Sequence, residues 1–220
     1  MTAYATMPAA ARTNDVRAIA LVDQRGATFR LGDLAGEPAI VTFVASRCTD
    51  ACPIANVAFQ RLERRLRRDR VRAHLVTITL DPTFDTPYVF AGLARRSDAD
   101  AGRWTFASGT PEHVRAILHA FGVTATRGRD GIPDLHSSFV YVLDAHARLA
   151  TALLLSTAID DDVLRAIARI RRFRRERHEP IHRELVRLMR RGRGSRRARG
   201  DATIASHVEC RASSTSRSAR

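Results

Sequence analysis

Ala39-Ile-Val-Thr-Phe-Val-Ala45-Ser-Arg-Cys48-Thr-Asp-Ala-Cys52-Pro53 is the stretch on which the fold turns. Ala39 to Ala45 is a continuous apolar and β-branched run, the pattern of a strand covered on both faces in a parallel or mixed sheet. Two thiols follow it at once. From Ile54 to about Arg68 the apolar residues Val57, Phe59, Leu62 and Leu66 recur among Arg and Glu at roughly helical spacing. The cysteine pair therefore sits where a buried strand hands over to a helix.

Upstream, Ile19 to Val22, the turn Asp23-Gln-Arg-Gly26 and the run Ala27 to Leu31 predict an N-terminal β-hairpin. Downstream, Val71 to Leu80 predicts a second buried strand. The loop Asp81-Pro-Thr-Phe-Asp85-Thr-Pro87 follows, and Pro87 suits the first turn of a helix reaching about Ser97. Trp104 to Ala107 reads as a short strand, and Thr110 as the N-cap of a helix ending near Phe121. Residues 124–134 are polar and Gly-containing, a loop. Ser137 to Leu143 and Leu149 to Leu155 form a hairpin, and Asp160 to Arg171 a last amphipathic helix. The order is that of an α/β chain with a thioredoxin-like fold, a central mixed sheet flanked by helices. Residues 1–17 are a flexible lead-in, 18–171 the folded domain, and 172–220 an Arg-rich, partly helical to disordered tail.

The chain has 220 residues, of which 45% are hydrophobic, enough for one domain with a real core. The net charge of +14 would suggest nucleic acid or a membrane surface, but its placement argues otherwise for the folded part. Residues 171–220 hold 16 Arg against 5 acidic residues, while 1–170 are close to balanced. The chain contains no Lys, a bias that reads as base composition rather than function. No run of about eighteen apolar residues marks a membrane span, and Met1 to Asp15 lack the layout of a signal peptide. The cysteines are Cys48, Cys52 and Cys210, too few for a disulfide framework.

The i, i+4 spacing of Cys48 and Cys52 on a first helical turn would put both Cβ atoms on one face, roughly 5–6 Å apart. Local unwinding would allow a disulfide, and the same geometry would let both sulfurs hold one metal ion. A helix N-terminus favours thiolate, and Arg47 would push the same way. Thiolates select soft metals, and adding imidazole suits copper or zinc. His136, just before an apolar strand, is the candidate third ligand. The blander reading is two small buried side chains. His74, His113, His119, His146, His178, His182 and His207 lack such a placement, and Cys210 reads as an incidental thiol.

Three segments together resemble the Sco/SenC family of copper chaperones. Val41 to Pro53 is similar to its apolar strand followed by Cys-x3-Cys-Pro. Thr79 to Pro87 is similar to its Asp-Pro and Asp-Thr-Pro signature. Asp134-Leu-His136 through Asp144 is similar to its His-then-strand signature. The resemblance covers about residues 18–171. It implies one copper ion held by Cys48, Cys52 and His136, with Asp81 as an outer-sphere group, and delivery to, or thiol reduction at, the dinuclear copper site of cytochrome c oxidase. It also implies a monomer, a thiol reductant as partner, and a place on the extracytoplasmic face of a membrane. Three features depart from the family pattern: no membrane helix of the kind that usually anchors its members is read in the sequence, Ser46-Arg47 stands just before the first cysteine, and an Arg-rich extension follows from residue 172.

Two other readings compete. In a metal-independent thiol–disulfide oxidoreductase, Cys48 would attack and Cys52 resolve, but the usual spacing there is Cys-x2-Cys. In a binding protein working through its tail, 172–220 would meet phosphates or an anionic leaflet, with Ile181, Leu185, Leu188 and Met189 as a weak apolar face. Phe173 is the one aromatic in residues 171–220, which argues against stacking on bases.

Overall fold

The structure, a computed structural model, describes residues 16–49, 51–128, 130–136 and 139–173, with the side chains of residues 51 and 134–136 excepted. The Arg-rich tail beyond residue 173, its apolar face and Cys210 lie outside the described residues. The strands are β1 (Leu21–Asp23), β2 (Thr28–Phe29), β3 (Ala39–Val44), β4 (His74–Thr79), β5 (Trp104–Ser108), β6 (Ala125–Arg127), β7 (Pro133–His136), β8 (Phe139–Leu143) and β9 (Leu149–Leu154). The helices are α1 (Ala51–Arg68), α2 (Pro87–Arg96), α3 (Pro111–Ala120) and α4 (159–173).

Seven strands form one sheet in the order β2-β1-β5-β4-β3-β8-β9. β3, β4 and β5 run parallel, as their helical crossovers require. β8 joins β3 antiparallel, β9 continues from β8, and β1 joins β5 antiparallel at the other side. This is the thioredoxin-like mixed sheet expected from the element order. β3 is buried at all six positions, which explains why it lacks any polar alternation.

Local chemistry sets the helix starts. Thr86 and Thr110 accept from the backbone N–H of Val89 and His113, and Pro87 and Pro111 follow them at the first helical position. Helix α1 buries Phe59, Leu62 and Leu66 against the sheet. Val57, expected on that same face, instead turns outward with Ile54, at 58% and 62% exposure. Under α1, Phe59 meets Trp104, which stacks on Phe106 with ring centroids 4.8 Å apart.

Two features differ from the expectation. The helix after β3 begins at Ala51, three residues earlier than the apolar periodicity indicated, so Cys52 and Pro53 lie in its first turn while Cys48, expected on that turn too, precedes the helix. Residues expected as one loop contain a second, two-stranded sheet in which Ala125 pairs with His136 and Arg127 with Pro133. Its turn is closed by Gly128 N–H to Ile132 O and Gly131 N–H to Gly128 O, with Gly131 at φ +74°. All three β6 residues are exposed, so the apolar alternation that announces a strand is missing.

Candidate metal centre

The end of β3 and the start of α1 place the thiols. Cys48 lies in the turn between them, and Cys52 on the first turn of the helix. One residue, Ala45, brackets both: its carbonyl accepts from Cys48 N–H at 3.1 Å, and its N–H donates to Cys52 Sγ at 3.3 Å. The two thiols are near enough for Cys48 to oppose ionisation of Cys52, and they are not joined as a disulfide. Cys48 is half-buried and Cys52 is buried.

Burial pushes the Cys52 thiol up to about 12, the neighbouring Cys48 and Asp85 charges add to the rise, and only the Ala45 N–H opposes it. The expectation that the helix terminus would favour thiolate therefore fails for Cys52, because desolvation outweighs the helix-end field. Arg47 does not point its charge at the pair either. Its guanidinium lies 4.5 Å from the centroid of the Phe84 ring and is bound to Asp81. Metal-free protein is expected to react with iodoacetamide first at Cys48, with Cys52 slower by roughly two orders of magnitude near neutral pH. Mass-spectrometric mapping of a time course checks this; equal rates at the two positions would refute it.

Asp81 and Asp85 are both fully buried, and the Asp85 charge acts on Cys52. Asp85 accepts from the Ser46 hydroxyl, from Ser46 N–H at 3.3 Å and from the Thr79 hydroxyl at 2.7 Å, fixing the second residue after the strand. Burial still dominates and raises its carboxyl above the ordinary range. Burial also pushes the Asp81 carboxyl up, but hydrogen bonds from Arg47 and Arg127 outweigh it and hold the group below that range.

The two aspartates thus act on stability with opposite signs. Asp81 stabilises the fold above its unfolded value of about 3.9 and loses this as pH falls through its lower folded value. Asp85 favours its neutral form when folded, so its contribution is full below about 3.9 and is lost as pH rises through its folded value. In denaturant titrations across the acid range, Asp81→Asn should flatten the rise of stability with pH, and Asp85→Asn should steepen it. Slopes that change in the same direction would contradict this assignment.

His136 ends β7, on the hairpin tied to Asp81 through Arg127. Its side chain lies outside the described residues, and among those described no group of three or more His, Cys, Asp or Glu is gathered for a metal. The structure thus places Cys48 and Cys52 at one strand–helix junction and bonds Asp81 to Arg47, the residue before Cys48, and to Arg127. His74, passed over in the sequence, is bonded to Thr105 at 2.9 Å in the sheet, in keeping with a structural role. An open apolar cleft of about 570 Å³ begins beside the site at Pro53 and runs along Ile54, Val57 and Arg61 to Leu155.

A family model described as SCO1/SenC matches residues 9–172. The chain belongs to the SCO1/SenC family. A SCO2-like protein of Rickettsia felis is 27% identical over 133 residues, 58% of this chain and 63% of that protein, so the chain spans less than two thirds of that relative. A SCO1/SenC family lipoprotein from Bacillus anthracis superposes with a TM-score of 0.64 at 19% identity, covering 69% of this chain and 91% of that one. ScoI from Bradyrhizobium japonicum with copper bound gives 0.58 at 24%, covering 70% and 96%. BsSco, a member of the Sco family of cytochrome c oxidase assembly proteins in which a disulfide switch was identified, gives 0.59 at 18%, covering 67% and 88%. These likenesses establish the shared fold. No helix among the described residues is long and apolar enough to cross a membrane.

Sequence reasoning missed Arg127 and the role of Asp85. Arg127 is one of 37 arginines and stands out only once the chain has folded. Asp85 follows Asp81 by four residues within the Asp-Pro and Asp-Thr-Pro segment, a spacing that could have singled it out.

Proposed function

We propose that this SCO1/SenC family member binds copper as cargo for the assembly of cytochrome c oxidase, through Cys48, Cys52 and His136. The observation that carries this reading is the pair of thiol residues both bonded to Ala45 at the strand–helix junction, one buried and one within reach of solvent. Two soft sulfurs and an imidazole suit copper, Cu(I) above all. The copper-bound relative adds support for the metal.

Ala45 holds the Cys48 backbone and the Cys52 sulfur through its own carbonyl and N–H, so little reorganisation is needed when the metal arrives. Cys52 must lose its proton on binding, which makes uptake pH-dependent and proton-releasing. Cys48, at the open side, is the atom an incoming acceptor thiol would approach first. The partners are a copper-site subunit of the oxidase or another copper acceptor, and a thiol reductant, with the protein acting as a monomer on the extracytoplasmic face of a membrane. The lipoprotein nature of the Bacillus anthracis relative supports that location.

Thiol–disulfide exchange at the same pair is a second reading, favoured by the nearness of the two thiols and by the switch in BsSco. Oxidation would join Cys48 and Cys52 and remove the sulfur ligands, so redox state would gate loading. Anaerobic addition of Cu(I) to reduced protein, removal of excess metal and copper counting test the primary reading. About one copper per chain is expected in the reduced protein and almost none after oxidation to the disulfide.

A further inference from the structure

Asp81 joins three segments that lie far apart in the chain. Its Oδ2 accepts from Arg47 Nη2 at 2.5 Å and Nε at 3.2 Å. Its Oδ1 accepts from Arg127 Nη1 at 3.0 Å and from the Thr83 hydroxyl at 3.2 Å. Its own N–H donates to the Thr79 hydroxyl at 2.8 Å, fixing the carboxylate at the end of β4. Arg47 immediately precedes Cys48. Arg127 ends β6, whose partner strand ends at His136.

The hairpin has little apolar attachment at β6, which is exposed throughout. Charge-assisted bonds to a fully buried carboxylate are the strong kind, because the acceptor cannot turn to water instead. Arg127 Nη1 also donates to Gly131 O at 2.5 Å, so one guanidinium braces the hairpin's own turn and moors it to the core.

We infer that Arg47, Asp81 and Arg127 form a latch that holds the His136-bearing hairpin against the Cys48 turn. This deepens the proposed function and rests on His136 as third ligand. Arg47 and Arg127 are positioning residues here. With both arms closed, the strand that ends at His136 is tied through Arg127 and Asp81 to the turn that carries Cys48 before metal arrives. With the Arg127 arm open, the thiol pair keeps its geometry through Ala45 while the hairpin swings free, so a three-ligand site falls to two sulfurs.

The test uses the full chain, reduced and metal-free, in amide hydrogen exchange, with Arg127→Gln, Arg127→Lys and Asp81→Asn. Arg127 is 47% exposed, so its variants should fold. Exchange across 125–127 and 133–136 should rise about tenfold in Arg127→Gln, with β3 to β5 unchanged and partial recovery in Arg127→Lys. X-ray absorption after Cu(I) addition should then show the nitrogen shell depleted in Arg127→Gln and both sulfurs retained. Hairpin exchange unchanged in both Arg127→Gln and Asp81→Asn, or raised equally in β3 to β5, would overturn the latch. Wild-type protein that takes up no Cu(I) would instead sink the copper reading, and the metal-free exchange would still decide the latch.

Discussion

Cys48→Ser and Cys52→Ser should each weaken Cu(I) binding by on the order of a thousandfold, since each removes about a third of a strongly bound ligand set. A hydroxyl in place of a thiolate is a poor ligand for a soft ion, and the remaining sulfur alone cannot hold it. His136→Ala should cost less, because the two sulfurs persist and a solvent or buffer ligand can take the third position. Competition against a Cu(I) chelator measures all three. The ranking carries the argument: loss in both cysteine variants with an intermediate effect of His136→Ala supports the three-ligand site. Equal binding by His136→Ala and wild type would reduce the centre to the thiol pair and move weight to thiol–disulfide exchange. Cys48→Ser should also leave the fold intact, since that side chain is half-buried. Cys52 is different: its Sγ accepts the Ala45 N–H from a buried position, so Cys52→Ser tests ligand and scaffold together.

Much of this arrangement was legible in the residues, for identifiable reasons. Ala39 to Val44 is apolar because both its faces are covered, and a strand with no wet face leaves no ambiguity of side. Thr110 and Pro111 announce a helix start by local hydrogen bonding that needs no tertiary partner. The i, i+4 thiols followed by Pro53 at a strand end likewise carry their meaning locally. What stayed hidden depends on contacts across the chain. Arg127 meets Asp81 from 46 residues away, and in a chain whose every basic residue is Arg nothing distinguishes it. Arg47 sits beside Cys48 in sequence, yet the buried carboxylate of Asp81 outcompetes the thiols for its guanidinium. The Cys52 thiol is raised by burial, which spacing along a helix does not reveal. The β6–β7 hairpin is polar because it is held by ion pairing and turn hydrogen bonds, so no hydrophobic period marks it.

Trp104→Ala should destabilise the fold by about 3–5 kcal/mol, the cost of truncating a large aromatic side chain in a packed core. Trp104 is fully buried in β5, stacks on Phe106 and tilts against Phe59 of α1 at 5.8 Å. Its Nε1 donates to the Thr77 hydroxyl at 2.9 Å, so truncation also leaves a buried hydroxyl without its donor. Trp104→Phe retains most of the ring volume and should cost about half as much, the remainder being the lost hydrogen bond and a smaller void. Denaturant unfolding of reduced, metal-free protein measures both. The effect should reach the thiols, because Phe59 belongs to the helix that begins at Ala51 and carries Cys52 in its first turn, and a void beneath that helix loosens the surface on which this turn rests. Iodoacetamide modification of Cys52 should therefore accelerate in Trp104→Ala by more than global unfolding accounts for, with Trp104→Phe in between. If Cys52 reactivity follows global stability alone, the aromatic stack supports the fold without specifically steadying the thiol pair.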